Sequence, residues 1–116
     1  MVIEMLASKI HRARVTDSNL DYEGSFTIDS DIMKKAGIIP YQAVEIYNVT
    51  NGSRLKTYAI EGEPGSRTFC ANGAAAHQIK KGDVVIICAY VQVDASEAAG
   101  FRPTVLRIGD NNEIAG

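Results

Sequence analysis

The chain has 116 residues, 46% hydrophobic and 22% charged, with 12 basic and 14 acidic side chains for a net charge of −2. That length suits a single domain, residues 1–116, and leaves no room for two. The charge balance offers no basic surplus for nucleic acid, and no apolar run approaches the roughly 20 residues that span a bilayer.

The N-terminal MVIEMLASKIHR lacks the basic start and apolar stretch of a signal peptide, so a cytoplasmic location is expected. From there, residues 2–6 lead into 8–15, where period two puts Lys9, His11, Ala13 and Val15 on one strand face. A turn-like segment covers 17–21. Residues 26–28 read as a strand, after which Asp29 or Ser30 caps a short helix, DIMKKA, closed by Gly37 with Pro40 beyond. The runs 43–50 and 54–60 flank Asn51-Gly52, the pair that best supports a tight hairpin turn. Gly62, Pro64 and Gly65 mark a loop, and Asn72 caps a second helix over 73–81, ended by Gly82. A long apolar strand over 84–93, a helical scrap over 95–99 and a last strand over 103–108 follow, with a frayed tail at 109–116. Short strands, two small helices and no repeat predict a β-barrel with helical connections.

Four segments carry chemistry. In Tyr22-Glu23-Gly24-Ser25, Gly24 eases distortion of the following peptide bond, and the Ser25 hydroxyl stands beside the Gly24 carbonyl. Attack by that oxygen would turn amide into ester. β-Elimination would then release residues 1–24 and leave a dehydroalanine, which water converts to a pyruvoyl group and ammonia. Taken alone, Gly-Ser is an ordinary turn. In the second segment, 48–60, Arg54 and Tyr58 share a strand face and Thr57 points the other way. Arginine's fork matches a carboxylate, and a phenol can return a proton to carbon. The alternative is a solvated hairpin edge. In the third, Asn72, Gly73, Ala74 and Ala75 open a helix with small side chains, which suits either an anion on the free amides or a tightly packed cap. In the fourth, Lys9 and His11 offer positive charge to a pocket or to water. The histidines lack metal-ligand spacing, so no metal is implied. Cys70 and Cys88, outside any CxxC pair, read as small buried hydrophobes.

Together KIHRARVT at 9–16, YEGS at 22–25, NVTNGSRLKTYAI at 48–60 and NGAAAH at 72–77 resemble the bacterial aspartate 1-decarboxylase family in order and spacing. The resemblance implies a small six-stranded double-psi β-barrel, assembled as a homotetramer with active sites between subunits. It implies cleavage at Gly24-Ser25 into a β chain, 1–24, and an α chain, 25–116, whose first residue carries the covalent pyruvoyl group derived from Ser25. Through a Schiff base that carbonyl would absorb the electrons of decarboxylation, turning L-aspartate into β-alanine and CO2 for pantothenate and coenzyme A synthesis. Thr57 resembles the family's processing and substrate residue and Tyr58 its proton donor. Lys9 and Arg54 resemble its carboxylate partners, with His11 and Tyr22 lining the pocket and Gly73, Ala74 and Ala75 as its backbone substrate site. Asn19, Asp21 and Ile3 depart from common family choices, which bears on cleavage rate and on any helper protein in maturation. The rival readings are a non-catalytic barrel that binds ligands and a pyruvoyl decarboxylase of another amino acid.

Overall fold

The computed structural model describes residues 1–116. Eight strands form one sheet: β1 Val2–Arg14, β2 Asp17–Asn19, β3 Ser25–Asp29, β4 Ala43–Asn48, β5 Arg54–Gly62, β6 Phe69–Asn72, β7 Val84–Asp94 and β8 Thr104–Arg107. Their order is β2-β6-β3-β5-β4-β7-β1-β8. Helices α1 Ser30–Ala36 and α2 Ala95–Ala98 and two 3₁₀ turns, Gly73–His77 and Asp110–Asn112, make the connections. This is the mainly-β domain with short helices that the pattern predicts, in a form consistent with a barrel. Six strands are legible in the sequence, and β2 and β6 are the additional two. At three and four residues they are too short to show a period, and β6 owes its existence to pairing with β3 on one side and β2 on the other.

The core follows from cross-strand rows. Ile10, Ile87, Ile46 and Leu55 stand in register across β1, β7, β4 and β5, and Phe26, Ile28 and Phe69 fill the β3–β6 side, all three fully buried. Burial of each such side chain stabilises the fold by roughly 1.5–3 kcal/mol. Strand β1 departs from strict alternation. Arg12 takes a left-handed φ of 66° at a bulge between Ile10 and Ala13, which adds one residue to the strand. Ile10, Ala13 and Val15 are therefore the buried set. Lys9 and His11 share a face, but Ala13 and Val15 do not join them as period two had suggested.

Helix α1 forms as expected. The Asp29 carboxylate accepts from Asp31 N at 2.8 Å, and Gly37 closes the helix at φ 77°. The same carboxylate accepts from Gly65 N at 3.1 Å and Arg67 N at 2.7 Å, tying the 65–67 loop to the helix start. Burial alone would raise the Asp29 pKa, but these backbone donors outweigh it and hold the carboxyl below its ordinary value.

Three local expectations need correction. The β4–β5 connection is a four-residue loop, because Tyr47 pairs with Arg54 and Asn48 N donates to Ser53 O. The Asn48 side chain closes it by accepting from Thr50 N and Asn51 N. The second helix shrinks to the 3₁₀ turn at Gly73–His77. The Gln78 carbonyl is diverted to Asn48 Nδ2 at 3.1 Å and Asn51 Nδ2 at 2.8 Å, and Lys80 N turns to the Asp83 carboxylate. The tail is not frayed. Arg107 N donates to Gly116 O, Ala115 N to Arg107 O, and buried Asn112 binds the backbone of Arg14 in both directions.

Candidate active site

Ser25 opens β3 and is almost fully buried, at 1% exposure. Its position follows from two pairings. Antiparallel register sets it opposite Asn72 on β6, and parallel register of Phe26 with Ala59 brings it alongside Tyr58 on β5. Ser25, Tyr22, Glu23, Tyr58, Tyr41 and Glu61 are among the residues lining a cavity of about 540 Å³. The Tyr41 and Tyr58 rings lie 6.3 Å apart, tilted by 35°, within the range of favourable aromatic contact.

Asn72 is the organising side chain. Its Nδ2 donates to Ser25 Oγ at 3.0 Å and to Thr27 Oγ1 at 2.8 Å. Its Oδ1 accepts from the Cys70 thiol at 3.3 Å. Burial, then the charge of Asp17, pushes the Cys70 thiol up, which keeps its proton available for that bond. All the amide's partners fit one orientation, donors to the hydroxyls and acceptor to the thiol. Asn72 makes no cap bond to the 3₁₀ turn, because the site has taken its side chain. The expectation that it caps a helix fails for that reason.

Gly73 supports the same loop from below. It sits at φ 63°, and a Cβ there would lie 2.7 Å from Gly24 N and Gly24 Cα and 2.8 Å from Tyr22 O. Only glycine allows both that backbone angle and that approach. Gly24 itself lies outside the left-handed region and has open space where a Cβ would be. The freedom expected of Gly24 is thus required at Gly73 instead. Ala75 is buried and Ala74 exposed, so the two present different faces. Half-buried Thr57 faces away from Tyr58 on β5 and makes no hydrogen bond to the 24–25 linkage; Thr27 occupies the hydroxyl position nearest Asn72.

The other predicted residues stand elsewhere. Lys9 and His11 lie on β1, four strand positions from β3 in the sheet order, or roughly 19 Å measured around the sheet. Arg54 lies four residues before Tyr58 on β5, about 13 Å along an extended strand. None of the three lines the Ser25 cavity. They belong to the outward face of the β5-β4-β7-β1 region. There the Arg54 guanidinium sits 4.3 Å from the Tyr47 ring centroid, a cation–π distance. The Tyr47 hydroxyl shares a 2.7 Å hydrogen bond with that of Tyr90. That bond, then burial, pushes the Tyr90 phenol well above its ordinary value. Lys9 has no ion-pair partner, and His11 Nδ1 is buried without a hydrogen bond. Burial, followed by the charges of Lys9, Arg12 and Arg107, lowers the His11 pKa. Tyr47 and Tyr90 escape sequence reasoning, since the pairing of β4 with β7 brings them together. Tyr41 had no motif to betray it.

Fold and site place the chain in the class of small mainly-β enzymes. Comparison with known proteins resolves the class further. The model of the aspartate decarboxylase family matches residues 1–115. The aspartate 1-decarboxylase of Syntrophotalea carbinolica is 56% identical over 109 residues, covering 94% of this chain and 83% of that one. That of Alcanivorax borkumensis is 48% identical over 116 residues, 100% of this chain and 92% of the relative. That of Syntrophus aciditrophicus is 53% identical over 110 residues, 95% of each. The chain belongs to the aspartate decarboxylase family.

Proposed function

We propose that this protein is a pyruvoyl-dependent aspartate 1-decarboxylase that cuts itself between Gly24 and Ser25 and converts L-aspartate to β-alanine and CO2. The observation that carries the reading is the buried Ser25 hydroxyl, held by Asn72 in a cavity lined by three tyrosines, Tyr22, Tyr41 and Tyr58. A serine left as a plain turn would be solvated; this one accepts from Asn72 Nδ2 at 3.0 Å and donates to Glu23 O at 3.3 Å, and it gives up that proton as the oxygen attacks the Gly24 carbonyl. In that step the Oγ–C bond forms, the C–N bond breaks and the amide nitrogen takes a proton. Elimination then removes the Ser25 Cα proton, forms the Cα=Cβ double bond and breaks the Cβ–Oγ bond, so that Gly24 departs as a carboxylate. Water replaces the resulting enamine nitrogen, which departs as ammonia.

The residues present suit a carbonyl group at position 25. It would remain in the Ser25 cavity beside Tyr58, with the Asn72 amide as a hydrogen-bond donor to its oxygen. When formed, that group supplies an electron sink for loss of the substrate's α-carboxylate. Tyr58 then delivers a proton to the substrate carbon, with Thr57 in the processing role and Gly73, Ala74 and Ala75 as the backbone wall. Arg54 and Lys9 hold the substrate carboxylates, with His11 beside them.

Because these cations stand apart from Ser25, the reading includes a homotetramer in which the outward face of one subunit completes the cavity of another. Support comes from the unpaired Lys9 and from apolar side chains left exposed, among them Val2, Ile3, Tyr41, Tyr90 and Val91. A cytoplasmic location is part of the reading, in keeping with two free cysteines that form no disulfide.

Intact-mass measurement tests the proposal. Purified protein should give two fragments, residues 1–24 and 25–116, the larger without a free amine and reducible by borohydride in the presence of aspartate. Ser25→Ala should remain one folded, inactive chain. Aspartate decarboxylation by Ser25→Ala would overturn the scheme.

A further inference from the structure

A second cavity, larger than the first at about 690 Å³, lies where β1 leaves the sheet and meets the folded-back tail. Arg12, Arg14, Arg67 and Lys81 line it against the single carboxylate of Asp110, in a chain whose net charge is −2. Only three of its fourteen lining residues are hydrophobic, so the cavity is not made for an apolar ligand. None of the site residues assigned above borders it.

The cations are only lightly engaged. Arg14 Nη1 donates to Gly82 O at 2.7 Å. Arg67 Nη1 meets Asn111 O and Glu113 Oε1, both at 3.4 Å, the second in an exposed pair. Arg12 and Lys81 side chains have no hydrogen bond or ion pair. Most guanidinium donors of this wall are therefore free, and arginine's planar fork is suited to phosphate oxygens.

The wall is also built. Four of the five non-glycine residues with left-handed φ in the whole chain line this cavity: Arg12, Arg67, Asn111 and Asn112. Such backbone persists where its surroundings hold it. Here buried Asn112 ties the segments together. Its amide binds Arg14 N at 2.9 Å and Arg14 O at 2.8 Å, and its Nδ2 also reaches Arg67 O at 3.2 Å. One side chain thus clamps the two segments that bear Arg12, Arg14 and Arg67.

We propose that this cavity is a binding site for a small multivalent phosphate anion, of the diphosphate class. Four cations facing one acid call for more than one negative charge. Four of the twelve basic residues gather in this one cavity of about 690 Å³, on a chain that is acidic as a whole, which favours a small ligand over a long polyanion. The site does not depend on the decarboxylase reading, and its test has its own readout.

The test titrates the full-length protein with inorganic pyrophosphate at fixed ionic strength, by calorimetry and by backbone amide NMR shifts. Orthophosphate, sulfate, poly-glutamate and a short oligonucleotide serve as comparison probes. Expected are saturable binding of one pyrophosphate per chain, tighter than orthophosphate or sulfate by roughly tenfold, and shifts confined to residues 12–16, 66–67, 81–84 and 108–112. Arg67→Asn, which keeps a residue tolerant of left-handed φ, and Lys81→Gln should each weaken binding roughly tenfold. Melting temperature and aspartate turnover should stay unchanged in both. Absence of saturation, equal affinity for sulfate, unchanged affinity in both variants, or binding of poly-glutamate or the oligonucleotide in place of pyrophosphate would each overturn it.

Discussion

The Ser25 cavity and the outward face bearing Lys9, His11 and Arg54 handle their polar groups in opposite ways. Around Ser25 the Asn72 amide is satisfied within the chain by a hydroxyl on β3, a second hydroxyl and a thiol. On the outward face Lys9 is unpaired, His11 Nδ1 is unbonded, and Arg54 rests on the Tyr47 ring without a carboxylate. A closed network suits chemistry on the chain itself, where every reacting atom is already present. An open array of donors suits a partner that arrives from outside. Under the proposed function, self-cleavage would belong to the first region and recognition of acidic substrate to the second.

The strongest way to break that division is Arg54→Ala. Losing a charge-assisted carboxylate contact should lower kcat/KM for aspartate by roughly a hundredfold, chiefly through KM, while self-cleavage proceeds normally. Steady-state kinetics on fully cleaved protein checks this, and a pure kcat defect would move Arg54 out of substrate binding.

Asn72→Ala probes the other region and should do the reverse. Removing the donor from buried Ser25 costs about 1–3 kcal/mol, so the precursor should mature roughly ten- to a hundredfold more slowly. A time course of intact mass follows it. Cleavage at the parental rate would reduce the network to packing.

Asp29, at the end of the strand that Ser25 begins, reports on the closed region through pH. Its folded pKa is depressed, so its contribution to stability is complete above the unfolded value of about 4 and is lost as pH falls through the folded one. Asp29→Asn should cost about 1–3 kcal/mol at neutral pH, and its deficit should shrink below about pH 4 in denaturant titrations. A deficit independent of pH would mean that the carboxylate's charge adds nothing to the cap.

The smallest effect is expected at Tyr90→Phe. It deletes the hydroxyl that anchors Tyr47, and through it the ring under Arg54. About 1 kcal/mol is at stake, which should appear as a roughly fivefold higher KM with kcat and cleavage unchanged. A change in kcat alone would detach Tyr90 from Arg54.

Much of this was legible residue by residue. The Asp29 cap, the Gly37 stop and the apolar rows through Ile46 and Ile87 are local or periodic signals, and they survive folding intact. Where reading failed, a distant partner had won. The helix after Asn72 shortened because Asn48 and Asn51 claim the Gln78 carbonyl. The tail ordered because Asn112 reaches the Arg14 backbone. The Ser25 segment was readable as a candidate, but its partner Asn72 was read as a cap, since nothing in a linear string shows which amide a strand pairing will turn inward.

By itself the sequence determined the mainly-β class, the short helices, the family and the candidate Gly24-Ser25 pair, because propensity, caps and local motifs act over a few neighbouring residues. Tertiary structure alone decided that Ser25 meets Asn72 and Tyr58, that Gly73 must yield space to Gly24, and that Lys9 and Arg54 stand apart from them. Those outcomes depend on strand register, in which residues tens of positions apart become neighbours at hydrogen-bond distance.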